Sequence, residues 1–201
     1  MKAILESLRN TVIAGFVLTA IIIIIVAATV SAPSFGHAWF AFVFRWLHVI
    51  SGIMWIGHLW YFNFTQMPSM PKIPDEQKPA ISKVIAPEAL FWFRWGAMAT
   101  IATGLILAAM NGYLVDAILL GITDSGYSTP IGIGMWLGTI MWFNVWFIIW
   151  PGQQKALGLV EADADTKKKA ARTAMLFSRT NTLLSIPMLY CMVAAQNGGF
   201  A

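Results

Sequence analysis

The chain has 201 residues, 58% of them hydrophobic and only 11% charged, with a mean hydropathy of +0.69. A soluble globular domain carries about 25% charged residues, so this composition excludes that class and indicates a polytopic membrane protein. The formal charge of +4 is concentrated in particular loops, where it is a topology signal and gives no reason to expect a nucleic-acid partner.

Five apolar stretches, each about 20 residues and long enough to cross a bilayer, are predicted as spans at 11–30, 38–64, 88–111, 131–150 and 174–195. The expected fold is all-α: a bundle of five transmembrane helices forming a single transmembrane domain over residues 1–201. The first stretch, "TVIAGFVLTAIIIIIVAATV", differs from a signal peptide because its apolar core exceeds the usual about 7–15 residues. Pro33 would also follow directly on a cut after "VSA". It is predicted to be a true span.

The second span carries Arg45, His48 and His58 within "FRWLHVISGIMWIGHLWYFNF". After it, "MPSMPKIPDEQKP" is too rich in proline for regular helix and is predicted to be an ordered loop. Span 3 opens beside Pro87 and holds Arg94, a cation that either snorkels to the inner surface or meets a carboxylate, with Glu88 a local candidate. Span 4 lies between Pro130 and Pro151, and its Gly134 and Gly138 form a GxxxG pair suited to close helix contact. "QQKALGLVEADADTKKKAARTAMLF" is predicted as an interfacial helix leading into span 5, which Pro187 should kink.

Basic residues set the orientation. Lys2 and Arg9, then Lys72, Lys78 and Lys83, then Lys155, Lys167, Lys168, Lys169 and Arg172 occupy alternate connections. The loop after span 1 has no basic residue, and the one after span 3 carries only Asp116 and Asp124. The positive-inside rule therefore puts the N-terminus in the cytoplasm and the C-terminus outside.

The chain has three histidines and one cysteine, Cys191, so neither a disulfide within the chain nor a CxxCH haem attachment is available. On one helix, His48 and His58 are about 15 Å apart along the axis and about 80° apart in azimuth, so they cannot ligate one iron from opposite faces. His48 is the better ligand candidate. Gly52 lies one turn on along the same face, where a flat macrocycle could approach the backbone. Arg45 lies one turn outward, where a guanidinium could pair with haem propionates. The alternative is a histidine hydrogen-bonded across the bundle to Ser, Thr or Asn. His58 is either a second ligand position or a buried hydrogen-bonding residue.

"FRWLHVISGIMWIGHLWYFNFTQ", "ALFWFRWGAMATIATGLIL", "LGTIMWFNVWFIIWPGQQK" and "SRTNTLLSIPMLY" together resemble the membrane domain of the bacterial membrane-bound urate oxidases, or urate hydroxylases. The "LHV..G..W" element is also similar, more distantly, to the histidine helix of membrane-embedded protoporphyrinogen oxidases that bind haem b. These resemblances imply a multi-pass protein of the bacterial inner membrane. They also imply haem b as cofactor and single out His48 as its iron ligand, whereas His58 stands where the family is usually apolar; by position alone His58 is a candidate second ligand, Arg45 and Gly52 flank the His48 site, and Arg94 could meet a propionate. The resembled family has histidines where this chain has Gly132 and Thr180, and no counterpart of its cytochrome c domain lies within these residues.

The leading expectation is a haem-b subunit passing electrons to a periplasmic cytochrome c or a larger respiratory complex. The alternatives are a urate hydroxylase-like enzyme using a separate cytochrome c, and a haem-free accessory subunit. Besides the lipid bilayer, the expected partners are cytochrome c, other subunits of a membrane complex, or further copies of the chain.

Overall fold

A computed structural model describes residues 2–30 and 34–199, and it has no strand among them. The chain divides into two compact units, Met1–Phe40 and Ala41–Ala201.

The first unit is dominated by α1 (Leu8–Thr29), capped by Ser7, whose hydroxyl accepts from the Asn10 backbone N–H at 3.4 Å. No residue of α1 is buried, and apolar side chains cover it on every side. A helix that is apolar all round and about 33 Å long matches the thickness of a bilayer core.

The second unit holds the core. Helix α2 (His37–Trp60) continues through a π-helical turn, Tyr61–Gln66, and shorter turns to Lys72. Winding therefore persists into the proline-rich segment predicted to be a loop. Pro68, Pro71 and Pro79 each fall at the first positions of a short helical turn, where no N–H bond is lost. A second π turn, Ile81–Ile85, leads into α3 (Ala86–Met110). Helix α4 (Leu114–Ile118) lies within the following connection. Helix α5 (Thr129–Phe143) passes through a third π turn, Asn144–Ile149, into α6 (Trp150–Ala156).

Helix α7 (Ala164–Asn197) is 34 residues long. Asp163 caps its start by accepting from the Thr166 N–H at 2.8 Å and the Thr166 hydroxyl at 2.6 Å, and these bonds hold its carboxyl below the usual range. Gly198, at φ 68°, ends it in the left-handed region that glycine tolerates. The predicted interfacial segment is thus continuous with the fifth stretch, and the helix also runs through Pro187.

Among the described residues, four helical stretches are long and apolar enough to cross a membrane: Leu8–Thr29, His37–Lys72, Lys78–Met110 and Thr129–Ala156. The fifth predicted span lies in α7, which is outside that set because Ser178, Arg179, Thr180, Asn181, Thr182 and Ser185 lower its hydropathy.

The core is built from α2, α3, α5 and α7, with Trp55, Leu59, Phe93, Met141, Val145 and Met188 among its buried side chains. Glycine permits the closest approaches. A Cβ on Gly96 would lie 3.1 Å from the Trp55 backbone nitrogen, and one on Gly134 3.2 Å from Cys191 Cβ. Gly134 therefore serves the predicted close contact, whereas a Cβ on Gly138 would meet nothing within 4 Å.

Candidate functional site

His48 sits at the seam between α2 and α3. Its Nδ1 is 2.9 Å from the Thr100 carbonyl oxygen and 3.3 Å from Thr103 Oγ1. A carbonyl only accepts, so Nδ1 carries the proton and donates, and the neutral ring presents a lone pair on Nε2. No protein hydrogen bond occupies that lone pair among the described residues. The Thr103 hydroxyl donates to Ala99 O at 2.6 Å, which steadies the second contact.

Gly104 completes the seat. A Cβ there would fall 2.8 Å from His48 Cε1, so the imidazole lies directly over the backbone of α3. Gly52, one turn on from His48, has open space beside it: an added Cβ would meet nothing within 4 Å. Arg45 is exposed one turn outward. Burial raises the pKa of the Tyr113 phenol, and the Arg45 charge offsets part of that rise.

These features fit a haem ligand. A histidine whose Nδ1–H is bonded to a carbonyl has its tautomer and ring orientation set for coordination through Nε2. They include the cross-helix hydrogen bonding expected of a structural histidine as well, since one ring nitrogen can serve each purpose.

His58 lies elsewhere. Its Nδ1 is 2.7 Å from the Met54 carbonyl of its own helix, and it lines an apolar groove between α2 and the start of α3. The structure thus keeps the two histidines in separate surroundings.

Arg94 does not pair with Glu88, which accepts instead from Trp92 Nε1 at 2.9 Å. Its guanidinium lies over the Trp150 ring at 3.7 Å from the centroid, with Trp146 at 5.3 Å. Its Nε and Nη1 are covered and without a hydrogen-bond partner. A planar cation over tryptophan gains about 0.5–2 kcal/mol, and an ammonium does not reproduce the flat stacking. Arg94→Lys should therefore lower the thermal unfolding midpoint in mild detergent, whereas Glu88→Gln should change stability by no more than about 0.5 kcal/mol, as surface changes do.

A second polar feature follows α7. Its buried residues Ala174, Ser178, Asn181, Ser185, Met188, Cys191 and Ala194 recur every three or four positions and form one stripe. Asn144 Nδ2 donates to Asn181 Oδ1 at 2.8 Å, and Asn181 Nδ2 donates to the Met141 carbonyl at 2.9 Å. From α2 and its π turn, Trp60 Nε1 donates to Ser185 Oγ at 3.1 Å and Asn63 Nδ2 to Ser178 Oγ at 2.8 Å. Polar groups away from water are here partnered across the bundle.

Sequence reasoning had singled out His48, His58, Arg45, Gly52 and Arg94. Arg45, His48 and Gly52 share the middle turns of α2. Thr100, Thr103 and Gly104, missed beforehand, form the seat beneath His48, and the "TIATG" run was their available signal. Trp150, the partner of Arg94, was not among the residues singled out.

The four long apolar helices and their buried polar seam have the character of a multi-pass membrane protein. Residues 114–198 match the family model described as Urate oxidase N-terminal, which relates that part of the chain to urate oxidases. The match runs from α4 through α7 and contains the Asn144–Asn181 pair; the three histidines and Arg94 lie before it. No curated protein and no solved structure matches the chain.

Proposed function

We propose that this chain is a haem-b-binding subunit of the bacterial inner membrane, passing electrons to a periplasmic cytochrome c or a larger respiratory complex. The observation that carries this reading is the His48 Nδ1–Thr100 carbonyl bond at 2.9 Å, which leaves Nε2 as a lone-pair donor with no protein hydrogen bond among the described residues. Haem, when bound, supplies one-electron chemistry. His48 would hold the iron, Gly52 would leave room beside it, and Arg45 would face the propionates. Thr100 and Gly104 fix and seat the imidazole. In this reading α7 is a fifth span, its polar stripe turned to the bundle, with the N-terminus cytoplasmic and the C-terminus periplasmic.

The test is the absorption spectrum of gently solubilised protein. A Soret band is expected, and His48→Ala should remove most of it. A band that survives His48→Ala unchanged would rule His48 out as the ligand. Absence of any band from the wild-type protein would leave a haem-free accessory subunit.

The match over residues 114–198 favours a second reading, a urate hydroxylase-like oxidoreductase that uses a separate cytochrome c. Urate-dependent reduction of added cytochrome c by membranes containing the chain tests it. No reduction above control membranes would reject it.

A further inference from the structure

The groove beside His58 has a volume of about 560 Å³, within the range of small-ligand sites. Ile50, Ile53 and Met54 line it from α2, and Ile85 and Ala89 from the other side. His58 and Tyr61 are the polar residues on it. Gly57 also lines it, and a Cβ there would meet nothing within 4 Å, so the notch is open.

The imidazole restricts what can occupy this space. The Met54 carbonyl accepts from Nδ1 at 2.7 Å, so the neutral ring offers a lone pair on Nε2. A ligand terminus facing that nitrogen must donate a hydrogen bond, while the rest of the ligand must be apolar. His58 lies two residues before α2 passes into its π turn, and it faces Ile85 and Ala89 around the start of α3.

We propose that this groove binds a membrane quinol, with a ring hydroxyl donating to His58 Nε2 and the isoprenoid tail lying along the apolar wall. The redox class of the ligand rests on the electron-transfer reading above; the requirement for an apolar molecule with a hydroxyl donor does not.

The test is equilibrium binding of a radiolabelled short-tailed benzoquinol, under anaerobic reducing conditions, to the full chain in nanodiscs. Wild type should bind saturably. Gly57→Leu should fold normally, because its side chain enters open space and leucine favours helix, yet weaken binding by more than about tenfold by filling the notch. His58→Ala should weaken binding about five- to tenfold, the effect of one lost hydrogen bond. Dodecanol, which has the hydroxyl and tail without the ring, should fail to compete.

Equal binding by wild type and both variants would overturn the proposal, as would full competition by dodecanol. So would a shift of haem bands in His58→Ala, because Nε2 would then be bound to iron. The Soret band reports separately on the electron-transfer reading. Quinol binding without haem would retain the groove and reject that reading; haem without quinol binding would do the reverse.

Discussion

Gly132→Val is expected to unfold the end of the bundle where α4 packs on α5. Gly132 opens α5 against Ala117 of α4, and any Cβ at this position would overlap the Ala117 carbonyl oxygen. Both residues are buried. The obstacle is backbone, so no rotamer change relieves it, and Trp136 ties the same segment down by donating to the Ile118 carbonyl at 3.0 Å. Overpacking of this kind costs about 1–3 kcal/mol and sometimes more. The variant should lower the unfolding midpoint in detergent and open residues 119–128 to protease. An unchanged midpoint would show that α4 is not docked on α5. Gly132→His, which inserts the residue implied by the urate oxidase resemblance, should fail in the same way. The space that histidine would need is occupied here by main chain.

The second large effect is expected at the asparagine pair. Asn181 has 0% exposure and uses both ends of its amide, accepting from Asn144 and donating to Met141 O. Asn144→Ala strands the Asn181 carbonyl, and Asn181→Ala strands the Asn144 amide. Each should cost about 1–2 kcal/mol, between the penalty for an unsatisfied buried group and the smaller values found within membrane bundles. Replacing both by Ala should cost less than the sum of the two single changes, because neither side-chain amide is then left without the other. Thermal midpoints of the four proteins in one detergent complete the cycle. Strict additivity would mean that the two amides do not interact.

Much of the fold was legible because composition dominates it. The apolar runs of α1, α2, α3 and α5 are long, and Pro130 falls at a helix beginning where proline costs no hydrogen bond, whereas Pro87 and Pro151 follow π turns inside continuous stretches. A helix was expected at 174–195 from position and approximate hydropathy, but its partners were not. The three- and four-residue spacing of Ser178, Asn181 and Ser185 puts them on one helix face, and spacing alone does not say which helix satisfies them. His48 was legible as a residue out of place in hydrocarbon. Its seat was not, because Thr100, Thr103 and Gly104 lie more than fifty positions away and resemble ordinary small residues of a membrane helix. Arg94 shows the opposite error. Sequence proximity suggested Glu88, whereas the partner is a tryptophan brought in from the far end of the α5 stretch.

The polar stripe of α7 also bears on biogenesis. In the five-span reading proposed above, Ser185 alone in lipid could still donate to the Thr182 carbonyl of its own helix at 2.7 Å, whereas the Asn181 side-chain amide would have no partner in hydrocarbon. Its partner Asn144, like Asn63 and Trp60, is synthesised earlier. In that reading α7 meets a prepared docking surface as the chain emerges from the ribosome, and its stable integration depends on that surface being assembled first. Damage to Asn144 would then appear as a failure of the C-terminal segment to integrate, at a distance of 37 residues from the lesion.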